Sequence, residues 1–240
     1  MSKYKTDIDK IRGVAEMLLY LDIQPTKIPF IASQPFTDSW VSGINENGKK
    51  ELVDLSKEDG AKKWREAVKS EIEKSDISGI LDRIIKPYSM FFIKEIQKFV
   101  SDEDLGICLS RAWIRVENIS MDVNVKGLEI VSMFKRADKH TLMTDSERQY
   151  LESLDNEITL YRGVTAYNRG YKKAMSWTVD MEKAKWFAQR FGDWREVWKV
   201  VVPKERILAY FTAGGEREMV VNLYRCNLEI QKIKLEEAGR

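Results

Sequence analysis

The spacing of apolar residues changes near Asn156, and this change restricts the fold more than any other feature of the 240-residue chain. Before it, apolar residues recur at helical intervals, as at Ile11 and Ala15. After it, short segments rich in β-branched and aromatic residues predict strands. We therefore expect an α+β protein in which a helical N-terminal region, residues 1–155, packs against a β-rich core, residues 156–240.

Six strands and one helix are predicted within the core. Asp180 is expected to cap that helix, whose apolar stripe begins at Ala184. Among the earlier helices, Pro87 is expected in a first turn and Ser101 at an N-cap. Three prolines mark residues 25–35 as a loop, because proline lacks a backbone donor. The predicted strands cover residues 159–164, 174–178, 196–202, 206–212, 216–221 and 224–233.

The composition argues against several classes of protein. Forty basic side chains face 38 acidic ones, so the chain lacks the basic excess typical of nucleic-acid-binding proteins. Cys108 and Cys226 match neither a disulfide scaffold nor a metal site, and the single histidine, His140, leaves little scope for zinc or a histidine triad. No segment is apolar enough for a signal peptide or a membrane span. We expect a cytoplasmic protein without a metal ion.

Glu216 and Glu218 are the strongest candidates for chemistry. If residues 216–221 form a strand, both carboxylates lie on one face, about 6–7 Å apart along it. Like charges so placed add little stability, and the bland alternative is a solvated strand edge. Gly214 and Gly215 supply a tight turn before the pair, and the residues after it are apolar. These two features favour a functional pair.

Further candidates lie at the ends of two other predicted strands. Arg162 lies in an apolar run, where an unpaired guanidinium is costly to bury. It therefore forms an internal salt bridge with one of the glutamates or binds the phosphates of a dinucleotide. Gly163 would let a ligand approach the backbone. Ser176 and Thr178 precede the predicted core helix; they are either helix caps or, for Ser176, a hydroxyl that positions a carboxylate.

Taken in order, these motifs resemble those of the arginine–serine–glutamate class of ADP-ribosyltransferases. The chain has a Leu-Tyr-Arg-Gly motif at Arg162, a Ser-Trp-Thr motif at Ser176, and a Glu-Arg-Glu motif that ends at Glu218 and leads into apolar residues. The family commonly has Thr and Ser where this chain has Trp and Thr after the leading serine. The resemblance covers residues 156–233. It implies a split-sheet ADP-ribosyltransferase core that takes NAD as substrate.

The resemblance also implies a role for each candidate. Glu218 would be the catalytic glutamate, which stabilises the positive charge that grows as nicotinamide leaves. Glu216 would orient the acceptor, and Ser176 would fix Glu218. Arg162 would bind the phosphate side of NAD, together with Gly163 and the hydroxyls of the Ser-Trp-Thr motif.

Trp194 and Arg195 lie where the family places a loop over the phosphates and nicotinamide of NAD, although an exposed turn would explain them equally well. The implied activity is mono-ADP-ribosylation of a protein acceptor, with arginine as the first guess and a nucleic-acid acceptor left open. Two alternatives remain: an NAD glycohydrolase, and a catalytically inactive member that binds a partner. The biological context of the activity also stays open. One possibility is a phage or bacterial effector that acts in the cytoplasm of an infected cell. Since no apolar run reaches membrane-spanning length, we expect no membrane among the chain's partners.

Overall fold

The computed structural model describes residues 4–44, 47–116, 124–171, 173–190 and 196–235. The chain divides into two compact units, Met1–Val116 and Glu117–Arg240. The expected α+β class is confirmed, since the N-terminal half is mainly helical and the C-terminal part contains a six-stranded antiparallel sheet. Within these described ranges, no helix combines the length and the apolar character needed to cross a membrane.

The first unit consists of helices and two short β-hairpins. Its core is built largely from the helices, and the predicted stripe at Ile11 and Ala15 is fully buried. Residues 25–35 were expected to be a loop only, yet Pro25 pairs with Ala32 in a two-residue hairpin. Proline is tolerated there because a short edge strand can leave its missing donor unused. The elements are α1 (Ile8–Leu19), β1 (Gln24–Pro25), β2 (Ala32–Ser33), β3 (Val41–Ile44), β4 (Lys50–Val53), α2 (Glu58–Lys74), α3 (Ile77–Arg83), α4 (Lys86–Ile96) and α5 (Asp102–Arg115).

Two of the helix starts in this unit confirm the sequence prediction. Helix α4 has Pro87 in its first turn, where the absent N–H would have had no helical partner. Helix α5 is capped by Ser101, whose hydroxyl oxygen accepts a hydrogen bond from the Asp104 amide at 3.1 Å. Both helices therefore begin where the sequence predicts.

The described part of the second unit contains three helices, a sheet, and one further helix that packs on the sheet. The elements are α6 (Gly127–Arg136), α7 (Lys139–Leu142), α8 (Asp145–Ser153), β5 (Glu157–Val164), β6 (Ser176–Thr178), α9 (Met181–Gln189), β7 (Glu196–Pro203), β8 (Ile207–Phe211), β9 (Glu218–Val221) and β10 (Gln231–Lys234). In the sheet, the strands lie in the order β10-β7-β5-β6-β9-β8, and all neighbours are antiparallel.

The sheet has a seam between β5 and β6. Strand β5 pairs with β7 over all eight of its residues, from Glu157 to Val164. It meets β6 through a single pair, Tyr161 with Thr178. The six strands thus form two groups of three that are joined at one residue pair. This arrangement brings the ends of β5, β6 and β9 to the same region of the sheet.

Helix α9 packs closely on β5. Asp180 caps it as predicted, since its carboxylate accepts hydrogen bonds from the amides of Glu182 and Lys183, at 2.9 and 3.1 Å. Ala184 and Ala188 are buried against the sheet together with Val197. A Cβ atom at Gly163 would lie only 2.3 Å from the Ala184 carbonyl oxygen. Glycine at this position therefore allows the helix and the strand to touch.

Lysine 139 joins two elements of the second unit. Its ammonium group donates hydrogen bonds to the carbonyl of Phe134, at the end of α6, and to that of Leu208 in β8, at 3.1 and 2.6 Å. Burial lowers the pKa of Lys139 to about 8, although the charge of Asp138 opposes this shift. The fold thus holds a lysine in a place where its charged form is disfavoured.

The last predicted strand is shorter than expected. The sequence predicted a strand over residues 224–233, but β10 covers only Gln231–Lys234. The chain turns after β9, where the Asn222 side chain accepts a hydrogen bond from the Tyr224 amide at 3.1 Å. Arg225 then adopts a left-handed backbone with φ of 53°. Such a turn is incompatible with an extended strand, and residue type alone did not reveal it.

Candidate active site

Arg162 lies on the β5 side of the seam and is held there by the long pairing of β5 with β7, opposite Trp198. One of its terminal nitrogens, Nη1, donates a hydrogen bond to the Ser176 carbonyl of β6. Its Nε is inaccessible to solvent and has no partner among the described residues. Burial lowers the pKa of Arg162 to about 10, while the negative charge of Glu218 raises it. Arg162 is therefore a half-buried cation with an unused Nε donor, and the charge of Glu218 acts on it.

The hydroxyl that holds the glutamate motif belongs to Thr178. In β6, Thr178 pairs directly with Glu218, and its hydroxyl donates to the carbonyls of Glu216 and Arg217 at 3.0 and 3.1 Å. The same oxygen accepts a hydrogen bond from the Asp180 amide at 3.1 Å, just before α9. Thr178 is 6% exposed, so these bonds are shielded from water. One threonine thus joins the start of α9 to the backbone that leads into β9.

Ser176 is part of the site through its backbone. It pairs with Val220 on β9, two residues along the strand from Glu218, and its carbonyl receives the bond from Arg162. The hydrogen bond predicted from the Ser176 hydroxyl to Glu218 is not formed: within the described ranges, the hydroxyl makes no hydrogen bond. Thr178 takes the positioning role because its β-branched side chain is the one opposite the turn.

Glu216 and Glu218 do not alternate along one strand, so that prediction is wrong. Strand β9 begins at Glu218, while Glu216 has helical angles, with φ of −82° and ψ of −17°. Gly214, Gly215 and Arg217 all have positive φ, between 49° and 67°. Three left-handed residues wind the chain into a compact turn, which is why the extended alternation is lost.

We call residues 212–217 the β8–β9 turn. Within it, the side chain of Glu216 folds back toward Gly214, with its Cγ 3.7 Å from the place where a Cβ of residue 214 would be. Glu218 follows the turn as the first residue of β9 and is half-buried beside Thr178 and Phe211, its partners on the two neighbouring strands. One carboxylate is therefore carried by the turn and the other by the sheet.

Helix α8 contributes residues that the sequence analysis did not single out. Glu147, which is buried, accepts hydrogen bonds from the amide and hydroxyl of Thr212 at 2.7 and 2.9 Å, and from the Thr144 amide at 2.9 Å. Burial would raise the pKa of Glu147, but these bonds outweigh it, and the pKa is lowered. The Thr-x-x-Glu spacing predicts the cap at Thr144, but no local signal predicts the contact with Thr212.

Arg217 lies over a pair of tyrosines. The rings of Tyr150 on α8 and Tyr210 on β8 have centroids 4.6 Å apart. The guanidinium of Arg217 lies 5.7 Å from the centroid of the Tyr150 ring and donates to its hydroxyl at 3.1 Å. Hydrogen bonds with Tyr210 and Tyr150 raise the pKa of Arg217. Arg217, the middle residue of the Glu-Arg-Glu motif, thereby contacts both α8 and β8.

Two of the predicted site residues, Trp194 and Arg195, lie outside the described residues. Their assignment to NAD binding therefore stays a prediction. Gly163 has its Cα side filled by α9, which leaves no room for a ligand on that side. Tyr167 and Tyr171 are both exposed. Trp177, the middle residue of the Ser-Trp-Thr motif, is fully buried.

The described residues contain no cluster of three or more histidine, cysteine, aspartate or glutamate side chains that could bind a metal ion. What the described part of the site does offer is a half-buried arginine with an unused Nε donor, a backbone held by one threonine, and two carboxylates on adjacent pieces of chain. Comparison with the models of known protein families, with curated proteins and with solved structures finds no match.

Proposed function

We propose that the chain is an NAD-dependent mono-ADP-ribosyltransferase that breaks the bond between nicotinamide and ribose and transfers ADP-ribose to a protein acceptor. The observation that carries the proposal is the placement of Arg162 on β5 and Glu218 on β9, on the two sides of the short strand β6. The seam between β5 and β6 supports the split-sheet core that the sequence motifs imply. The order of the three motifs along the chain supports it as well.

Arg162 is suited to the phosphate side of NAD. Its side chain is half-buried, and its solvent-inaccessible Nε donor is unused by the described residues. Burying a cation with an unsatisfied donor is unfavourable, and a bound phosphate would supply both the missing acceptor and the opposite charge. A planar guanidinium also matches the geometry of two phosphate oxygens better than an ammonium group does.

Glu218 is suited to the bond that breaks. As the C–N bond to nicotinamide lengthens, nicotinamide leaves with the electron pair and positive charge develops on the ribose. A carboxylate fixed beside that carbon stabilises the charge, as in glycoside cleavage. Glu218 is fixed because it is the first residue of a strand that is paired on both sides, with Thr178 and with Phe211.

Glu216 is suited to the acceptor. A nitrogen of an acceptor guanidinium attacks the ribose carbon and loses a proton, and a carboxylate can both pair with the guanidinium and receive that proton. Arginine is therefore the acceptor we expect. One observation favours hydrolysis as a second candidate: Glu216 lies in the turn and not on the strand that carries Glu218, so the two carboxylates do not share one rigid element.

The test is incubation of the purified chain with NAD carrying a label on the adenosine side, followed by separate measurement of labelled protein and free ADP-ribose. Labelled protein is expected for transfer, free ADP-ribose alone for hydrolysis, and intact NAD for an inactive partner-binding protein. Replacing Glu218→Gln should lower NAD cleavage about a hundredfold or more, because it removes the charge that opposes the developing cation. Glu216→Gln should lower transfer to arginine much more than hydrolysis.

Glu157→Gln is the matched control, since Glu157 is an exposed glutamate at the start of β5. It should leave both activities unchanged. Circular dichroism of all three variants should match that of the original chain. If Glu218→Gln retained full NAD cleavage, the proposed catalytic role would be wrong, whatever the effect of the control.

A further inference from the structure

We propose that helix α8 clamps the β8–β9 turn at both ends, through Glu147 and Tyr150, and thereby sets the position of Glu216 relative to Glu218. The inference rests on the proposed function. It assigns positioning roles to two residues outside the motifs, Glu147 and Tyr150, and to Arg217, the middle residue of the Glu-Arg-Glu motif. In chemical terms, the clamp would determine how much of the ADP-ribose reaches an acceptor and how much is lost to water.

The first end of the clamp is Glu147. Its carboxylate oxygen Oε1 accepts from both the amide and the hydroxyl of Thr212, the first residue of the turn. Its other oxygen accepts from the Thr144 amide and so belongs to the cap of α8. Glu147 is 6% exposed, and hydrogen bonds to a buried carboxylate are stronger than those between neutral groups. The start of the turn is therefore fixed to the first turn of the helix.

The second end is Tyr150, one helical turn after Glu147. Residues three apart lie on the same face of a helix, so both anchors point toward the same piece of chain. Tyr150 receives the guanidinium of Arg217, the last residue of the turn, both through its hydroxyl and over its ring. Tyr210 backs this ring at a centroid distance of 4.6 Å. The end of the turn is thus held by a hydrogen bond and by stacking together.

The backbone of the turn explains why such a clamp is needed. Gly214 and Gly215 have many accessible conformations, and the structure uses the left-handed one at both. Arg217 is left-handed as well, with φ of 49°, a conformation that is unfavourable for a residue with a Cβ. A turn of this composition would sample many shapes if its ends were free. Contacts at Thr212 and Arg217 select one of them.

The two carboxylates depend on the clamp to different degrees. Glu218 belongs to β9 and keeps its strand partners when the turn moves. Glu216 belongs to the turn. Its backbone is otherwise held by the bond from Thr178 to its carbonyl and, within the turn, by the bond from its own amide to the Ala213 carbonyl. Loss of an anchor should therefore displace the acceptor carboxylate and spare the one that assists NAD cleavage. A displacement of about 1 Å at a reacting group can lower a rate up to a hundredfold.

The experiment measures transfer to an arginine-containing peptide and release of free ADP-ribose, in parallel, for Arg217→Ala, Tyr150→Phe and Tyr150→Leu. Arg217→Ala and Tyr150→Leu should lower transfer tenfold to a hundredfold, while NAD hydrolysis stays within about twofold. Tyr150→Phe keeps the ring and removes the hydroxyl acceptor, so its loss of transfer should be intermediate. Glu152→Gln, an exposed residue of α8, is the control and should change neither rate.

Hydrogen exchange of the backbone amides in the β8–β9 turn provides a readout that needs no activity. Arg217→Ala and Tyr150→Leu should speed exchange in the turn and leave β9 protected. If the original chain does not consume NAD, the proposed function fails and with it the role of the clamp in transfer. If the chain is active but the variants lose transfer and hydrolysis equally, or lose neither, only the clamp is overturned. Unchanged exchange in both variants would also overturn it.

Discussion

Gly163→Ala would test how closely β5 and α9 are packed. A Cβ at residue 163 would lie 2.3 Å from the Ala184 carbonyl oxygen and 2.6 Å from the Ala188 nitrogen. Ordinary contacts begin near 3.4 Å, so the helix would have to withdraw by about 1 Å. Both obstacles are backbone atoms, which cannot rotate away as a flexible side chain can. The strand and the helix must therefore separate.

That separation has a calculable consequence for stability. Overpacking a dense interior costs about 1–3 kcal/mol, and we expect the upper end because Ala184 and Ala188 would also lose their contacts with the strand. The free energy of unfolding, measured by urea denaturation with circular dichroism, should fall by about 3 kcal/mol at an unchanged m-value. The same shift of β5 should also weaken the NAD binding that we propose, because Arg162 lies on this strand.

Gly170→Ala is the matched control for this experiment. Its Cβ would meet no heavy atom within 4 Å, and its φ is not left-handed. The free energy of unfolding of this variant should stay within about 0.5 kcal/mol of the original value. A fall of less than about 1 kcal/mol for Gly163→Ala, or a result equal to that of the control, would refute the reasoning from close packing.

Two further predictions concern stability around the site. Folding lowers the pKa of Lys139 from 10.5 to about 8, so between these values the unfolded chain binds more protons and the free energy of unfolding should rise with pH, by on the order of 1 kcal/mol. Lys139→Met should flatten this rise in urea titrations across the window; an unaltered slope would contradict the assignment. Thr178→Val keeps the shape of the side chain but leaves the carbonyls of Glu216 and Arg217 without their hydroxyl donor. Its free energy of unfolding should fall by about 1–3 kcal/mol, and an unchanged urea midpoint would show that these bonds contribute nothing.

Much of the fold was predictable because its signals are local. The caps at Ser101 and Asp180 depend on side chains that bond amides two or three residues away, and such spacing is visible in the sequence. The approximate positions of the sheet strands followed from their β-branched and aromatic content. The short hairpins near Pro25 were missed, since two-residue strands carry almost no periodic signal.

The details of the site were less predictable because they depend on contacts between distant parts of the chain. The sequence suggested a strand through Glu216, yet the left-handed backbone of Arg217 ends it, and the Arg217 side chain bonds Tyr150, 67 residues earlier. Likewise, Gly163 was read as an opening for a ligand, although the nearest backbone is that of α9. The motifs were found from local patterns, whereas their relative geometry was not.

The single bridge between β5 and β6 gives Arg162 a second task. Its Nη1 donates a hydrogen bond to the Ser176 carbonyl, and this bond links β5 to β6 where the two strands share only one residue pair. A phosphate that takes Nη1 as its donor must first break this bond. The measured affinity for the anion would then be lower than the strength of the new contact, by the free energy of the bond that is lost. Anion binding at Arg162 and the association of the two groups of strands are therefore thermodynamically linked.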